Sequence, residues 1–206
     1  MPLITCPDCG HQVSDRASFC PNCGCPSSAW QIIVGIPSSL RVGQRFTMGN
    51  WGGEPIEWRV LQVSGSRAYV ISVCGLDCVQ FNASQDKGNS WCRSDLKAWL
   101  ENTFLPGAFS PSERAAIQEV TCLSIEEVKS LFLNDDDRSC RPTEFAVQRG
   151  ISKGNPTGGC WWWLRSPGKD GPGCAACVVF DGMVSTYGWR VDSSSDAVRP
   201  ALWLNL

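Results

Sequence analysis

The sequence is poor in charge and almost without histidine. Charged residues make up 18% of its 206 positions, 18 basic against 20 acidic, for a formal net charge of -2. A phosphate-binding surface needs clustered Lys or Arg, so no nucleic-acid partner is expected. The one histidine, His11, lies near the N-terminus, so a larger downstream domain has no imidazole and a His-based triad is excluded there. No apolar run approaches the ~20 residues that span a bilayer. The start, Met1-Pro2-Leu3-Ile4-Thr5-Cys6, lacks the charged and apolar regions of a signal peptide. A cytoplasmic protein without a membrane partner is therefore expected. Phosphate loops and dinucleotide fingerprints are missing as well. Asp135-Asp136-Asp137 lacks the spaced ligands and the glycine of an EF-hand loop, and reads as a solvated loop.

Cysteine, tryptophan and glycine, by contrast, are abundant, at 13, 10 and 20 residues. An odd cysteine count in a chain without an export signal favours metal binding and buried thiols over a disulfide framework. Many tryptophans and glycines together point to a loop-rich fold held by large aromatic anchors.

The N-terminal cysteines are the most specific signal. Cys6-Pro7-Asp8-Cys9-Gly10 and Cys20-Pro21-Asn22-Cys23-Gly24 are matched knuckles. Two thiolates separated by two residues can face one metal only if the chain turns sharply, and the glycine after the second cysteine permits positive φ. Four thiolates complete a closed tetrahedral shell, which is that of a structural zinc rather than a catalytic one. So short a segment cannot fold on its own core. Zinc would supply roughly 10–16 kcal/mol in a site of this size. The metal ligands are thus Cys6, Cys9, Cys20 and Cys23, with Cys25 a bystander and His11 a solvent-facing loop residue. Residues 1–29 hold one basic residue, Arg16, against Asp8 and Asp15. A structural role or a protein contact suits such a segment better than nucleic acid. It resembles the short zinc ribbons at the start of many bacterial proteins, over residues 1–26.

Residues 27–40, with Pro26-Ser27-Ser28 and Pro37-Ser38-Ser39 around Ile32-Ile33-Val34, read as a linker carrying at most one docked strand. Beyond it, residues 41–206 read as an α+β domain. Ile56 to Val63 and Arg67 to Val73 form a hairpin about Gly65-Ser66. Ser94 to Glu101 is a helix with Leu96, Trp99 and Leu100 on one face, extended by Phe104. Ser110-Pro111-Ser112-Glu113 and Ser124-Ile125-Glu126-Glu127 are capping boxes. Thr143 to Arg149 is a short helix stopped by Gly150. Cys160 to Arg165 is a strand too apolar for both faces to be exposed. A hairpin is expected about Asp181-Gly182, and a closing strand from Val198 to Leu204. Arg165 and Arg199 are expected to be buried and paired with carboxylates.

Four segments match one pattern in order: Glu57-Trp58-Arg59-Val60-Leu61; Trp91 with Trp99-Leu100-Glu101-Asn102-Thr103-Phe104; Trp162-Trp163-Leu164-Arg165-Ser166-Pro167-Gly168; and Val198-Arg199-Pro200-Ala201-Leu202-Trp203-Leu204. Residues 41–206 thereby resemble bacterial and phage domains of C-type-lectin-like fold, which includes formylglycine-generating enzymes. Some members look like the variable proteins of diversity-generating retroelements, in which template adenines are copied with errors and asparagine codons become many residues. That resemblance implies a variable, ligand-binding surface between Lys169 and Ala197 for an unknown protein ligand. The residues it would display are Cys174, Cys177, Val179, Phe180, Asp181, Ser185, Thr186, Tyr187, Trp189, Arg190, Asp192, Ser193 and Ser194. They share no single chemistry. Phe180, Tyr187 and Trp189 supply rigid contact area and the serines adaptable hydrogen bonds. Lys169, Met183 and Trp189 depart from the pattern, because changes at the adenines of an asparagine codon cannot produce them.

Two other readings stand beside this one. Trp161-Trp162-Trp163 could be a stacking platform for sugar, although in a strand Trp162 faces away from its neighbours and one face must pack inward. Cys174-Ala175-Ala176-Cys177 could be a metal or redox pair, as in a degenerate formylglycine-generating-type oxidoreductase. In a strand, however, residues three apart point to opposite faces. No enzyme activity is expected.

Overall fold

The computed structural model describes residues 3–6, 9, 11–14, 17–26, 33–37, 39–151 and 158–206. It is a mixed helix and sheet structure with three sheets. The first is a small antiparallel ladder of β1 (Leu3–Thr5) and β2 (Gln12–Ser14) in the N-terminal segment. β3 (Ile33–Val34) pairs in parallel with β4 (Arg45–Trp51), so the expected linker carries a strand docked on the larger sheet.

β4 is followed by the hairpin of β5 (Glu54–Ser64) and β6 (Arg67–Ser72), then by β7 (Asp77–Cys78). A helical region and β8 (Ile117–Thr121) come next. The C-terminal part holds β9 (Trp162–Pro167), β10 (Cys174–Val178), β11 (Val184–Arg190), β12 (Ala197–Val198) and β13 (Ala201–Asn205). One sheet has the order β3-β4-β5-β6-β13-β8 and the other β11-β10-β9-β12-β7. The closing strand expected from Val198 to Leu204 is therefore broken. Arg199-Pro200 carries the chain from one sheet to the other, since proline has no N–H to continue a ladder. The segment after β6 makes the same passage, and the two crossovers run side by side. Leu76 N–H donates to the Val198 carbonyl at 2.8 Å and Ser72 N–H to the Pro200 carbonyl at 2.9 Å.

The central strands β6, β9, β10 and β13 are covered on both faces over most of their length, which explains why they hold so few polar residues. Ala68 and Val70 of β6, Leu202 and Leu204 of β13, Trp163 of β9 and Ala175 and Cys177 of β10 face one core. Tyr69, Ile71, Ala201, Trp162, Leu164, Ala176 and Val178, their alternating neighbours, face a second core.

Helices fill the gaps. In α1 (Asp95–Trp99) Ser94 accepts from Lys97 N–H. The helix continues through a π turn, Leu100–Phe104, into α2 (Leu105–Ala108). Pro106, which cannot donate, sits just past the wide turn. Leu96, Leu100 and Phe104 are buried in the first core, whereas Trp99 is half-buried against it. α3 (Pro111–Ala116) and α4 (Ile125–Leu131) both carry complete capping boxes. α5 (Asp135–Arg138) is a helical turn capped by Asn134, not the expected solvated loop. Its Asp137 is half-buried and bidentate with Arg59, because the Arg59 guanidinium reaches it from β5. α6 (Glu144–Gln148) ends at Gly150, whose φ is 117°. Among the described residues no helix is long and apolar enough to cross a membrane.

Candidate metal centre and recognition surface

The four knuckle cysteines converge. The sulfurs of Cys6, Cys9, Cys20 and Cys23 all lie within 4.8 Å of one another. Cys6 and Cys23 are 3.6 Å apart, as are Cys9 and Cys20. A zinc–sulfur bond of about 2.3 Å puts the sulfurs of a tetrahedral shell about 3.8 Å apart, so the cluster fits a metal of that size. Turn geometry creates it. Cys6 N–H donates to the His11 carbonyl at 2.8 Å, and Cys20 N–H to the Cys25 carbonyl at 2.7 Å. Gly24 has φ of 77°, as its knuckle requires, whereas Gly10 lies outside the described residues. Hydrogen bonds from the Asn22 side chain and the His11 backbone pull the exposed Cys9 thiol down to about 6. Against a lowering backbone bond at Cys25, burial and the facing sulfurs push Cys23 up to about 12. Four thiols this close cannot all ionise unless a cation joins them. Cys25 is buried beside the cluster, and His11 is exposed.

The C-terminal stretch is divided. Cys177 is wholly buried and Val179 is 6% exposed, so neither can display a side chain to a ligand. The cause is the two-sided burial of β10, which places Cys177 in the first core. Phe180 and Asp181 belong to the turn joining β10 to β11, where Gly182 has φ of 90°. That turn is pinned to α5. Arg138 Nε donates to the Gly182 carbonyl at 3.0 Å, and Ser139 Oγ to the Phe180 carbonyl at 3.1 Å.

β11 is the outermost strand of its sheet. Its far end, opposite Cys174 in register, carries Tyr187, 70% exposed, Trp189, 45% exposed, and Arg190. The Trp189 ring meets the half-buried Trp161 edge-on at 5.1 Å. Ser185, Thr186 and Ser193 are partly exposed and Ser194 is exposed. Arg190 pairs with Asp192 at 3.0 Å, which holds the carboxyl below its ordinary value. The register brings Tyr187, Trp189, Arg190 and Asp192 to one end and leaves Asp181 at the other.

Residues far back in the chain brace this end. Gln85 Nε2 donates to the Asp192 carboxylate at 3.2 Å and Gln80 Nε2 to the Asp192 carbonyl. Asn89 Nδ2 donates to the Cys174 carbonyl at 2.8 Å. Nothing local in the sequence marks these glutamines and asparagines, which meet the stretch only through the tertiary fold.

Two sequence readings need correction here. Trp162 and Trp163 are both fully buried, one in each core, so a three-ring sugar platform does not exist. Arg165 pairs with Glu127, as expected, but Arg199 rests on carbonyls instead of a carboxylate. Cys174 precedes Ala175 by one residue and so sits on the face opposite Cys177. Among the described residues the only cysteine-rich group fit for a metal is the N-terminal one.

Residues 5–27 match the family model of a zinc-ribbon domain, and residues 122–206 match a domain of unknown function, DUF6273. No curated protein and no solved structure matches the chain. The zinc-ribbon match thus covers the four-cysteine cluster, and the DUF6273 match covers β9 to β13.

Proposed function

We propose that this is a binding protein, not an enzyme, whose ribbon holds a structural zinc ion and whose larger domain presents the Tyr187 end of β11 to a protein ligand. One observation supports the reading above others. Tyr187, Trp189 and Arg190 crowd one exposed length of an edge strand, and these are the residue types that dominate protein-binding hot spots. The strand beneath them is laddered to β10 along one side and tied to Gln85 through Asp192, so little ordering cost accompanies binding. The binding set is Cys174, Phe180, Asp181, Ser185, Thr186, Tyr187, Trp189, Arg190, Asp192, Ser193 and Ser194, with Tyr187, Trp189 and Arg190 as its centre.

On this reading the larger domain is C-type-lectin-like, and the stretch from Lys169 to Ala197 is the diversified segment of a retroelement variable protein. The expected compartment is cytoplasmic, which suits a chain in which no disulfide joins the described cysteines. The zinc serves the ribbon alone. Arrayed candidate ligands, probed with wild type and with Tyr187→Ser/Trp189→Ser, test the surface. A protein ligand bound equally by both would remove the surface from the proposal, and glycan binding alone would replace a protein ligand with a sugar. Diversification is tested in the genome. A near-copy of the coding repeat beside a reverse transcriptase, differing mainly at template adenines, is expected. Differences spread over all bases would end that part.

A further inference from the structure

Arg199 is an unusual buried cation. It is 3% exposed and sits where the chain passes between the two sheets. Its guanidinium donates to the carbonyls of Ser72 and Arg138 at 3.0 Å and Val73 at 3.5 Å. The Trp162 ring lies 4.9 Å away. Asp137, the carboxylate that feels its charge, is already engaged by Arg59. A buried guanidinium calls for a closer anion.

Two thiols lie beside it. Cys140 is 2% exposed and Cys160 wholly buried. Cys160 N–H donates to the Cys140 carbonyl at 2.7 Å, which aligns the two backbones. Cys140 Sγ lies 3.7 Å from the Val73 carbonyl that Arg199 also contacts, and 3.5 Å from the Arg141 carbonyl. Both sulfurs pack on Gly75, where a Cβ would lie 3.2 Å from Cys160 Sγ and 3.8 Å from Cys140 Sγ. Burial opposes ionisation of Cys140, but the Cys160 thiol, Arg199 and the Gly75 backbone outweigh it and hold the group below its ordinary value. Cys160 is pushed up, first by Cys140 and then by burial. Of the two, Cys140 is the thiol that ionises more readily, and its sulfur shares the Val73 carbonyl with the Arg199 guanidinium. Val73, whose carbonyl Cys140 Sγ contacts at 3.7 Å, and Cys74 are both only half-buried, so on that side the pair lies directly beneath partly exposed residues.

We propose that Cys140 and Cys160 form a redox-active dithiol that a small hydroperoxide closes to a disulfide, with Arg199 as the residue that positions the attacking sulfur. The Cys140 thiolate attacks the peroxide, the O–O bond breaks, and an alkoxide or hydroxide leaves and takes a proton. Cys160 then attacks the sulfenic acid on Cys140, the S–O bond breaks, and its proton departs with the oxygen as water. Two thiols and one hydroperoxide become one disulfide, one alcohol or water, and one water.

The test uses the zinc-loaded full chain with hydrogen peroxide as the probe. After graded exposure the protein is denatured, alkylated, digested and mapped. Cross-linked peptides joining Cys140 to Cys160 should accumulate before the exposed Cys92 is oxidised, and dithiothreitol should reverse them. Cys160→Ser should trap a dimedone-reactive sulfenic acid on Cys140. Arg199→Met should slow the reaction about tenfold near neutral pH and move its pH profile upward, whereas Arg199→Lys restores much of the rate. The proposal is overturned if Cys140 and Cys160 stay alkylatable at doses that oxidise Cys92, or if Cys74 pairs with Cys140 instead. The wild-type map decides this even where the Arg199 variants fail to fold.

Discussion

Arg165 and Glu127 lock a helix start to a strand. Arg165 donates to both Glu127 oxygens, at 2.6 and 2.8 Å, from β9, while the same carboxylate accepts Ser124 N–H at 2.7 Å as part of the α4 capping box. One side chain thereby caps a helix and neutralises a half-buried guanidinium. Glu127→Ala should cost about 2–3 kcal/mol in denaturant midpoint experiments, from the lost cap and the stranded charge. Glu127→Gln should cost less, since its amide oxygen still accepts from the backbone. Equal losses would show that the charge contributes nothing.

Metal binding should be confined to the ribbon. Its small core is separate from the two larger ones. One metal ion per chain is expected, with Cys6, Cys9, Cys20 and Cys23 resisting alkylation until a chelator is added. The denaturation midpoint of the larger domain should stay unchanged by the chelator. Alkylation of the ribbon thiols at one rate with and without chelator would contradict the site.

Asp196 should make stability fall as pH rises. It is 1% exposed, its Oδ1 accepts no hydrogen bond, and burial pushes it up to about 6 although the Ser193 hydroxyl donates to its other oxygen. A carboxyl whose folded value exceeds its unfolded value binds more protons when folded. Its contribution is fully present below about 4, is lost as pH rises to about 6, and is level above that. The span is on the order of 2–3 kcal/mol. Asp196→Asn should flatten this slope and raise stability at neutral pH. A variant with the wild-type slope would show that another group governs it.

Gly182 should tolerate no side chain. Besides its positive φ, an added Cβ would lie 1.7 Å from the Asp135 carbonyl oxygen. Gly182→Ala must therefore push the turn off α5, at a cost of more than ~2 kcal/mol. Amide exchange should accelerate in Ser139 and Gly182 together. Unchanged exchange with unchanged stability would mean that the turn is not anchored there.

Core and surface aromatics should separate cleanly. Trp163 is fully buried and its Nε1 donates to the Val79 carbonyl at 3.0 Å. Trp163→Ala should cost about 3–5 kcal/mol. Tyr187→Ala should stay within about 0.5 kcal/mol of wild type. A large loss at Tyr187 in thermal unfolding would assign it to packing and weaken the recognition surface.

The local features were legible in the sequence because their physics is local. The paired knuckles bring Cys6, Cys9, Cys20 and Cys23 together, since a two-residue spacing and a following glycine turn each pair toward one point. Both capping boxes were legible for the same reason, as each needs only residues three apart. Periodicity found β5, β6 and the Leu96 helix face. The tertiary structure decided the rest. Alternation alone does not say whether an outer face meets solvent or a second core, so Cys177 and Val179 looked displayed but are covered. Nor does a sequence reveal which atoms surround Arg199, because its partners are carbonyls of the other crossover, Ser72 and Val73, and of Arg138 at the end of α5. Burial of both faces of the central strands, a property of the assembled layers, settled where Trp162 and Trp163 point, while the edge position of β11 left its Tyr187 end in water.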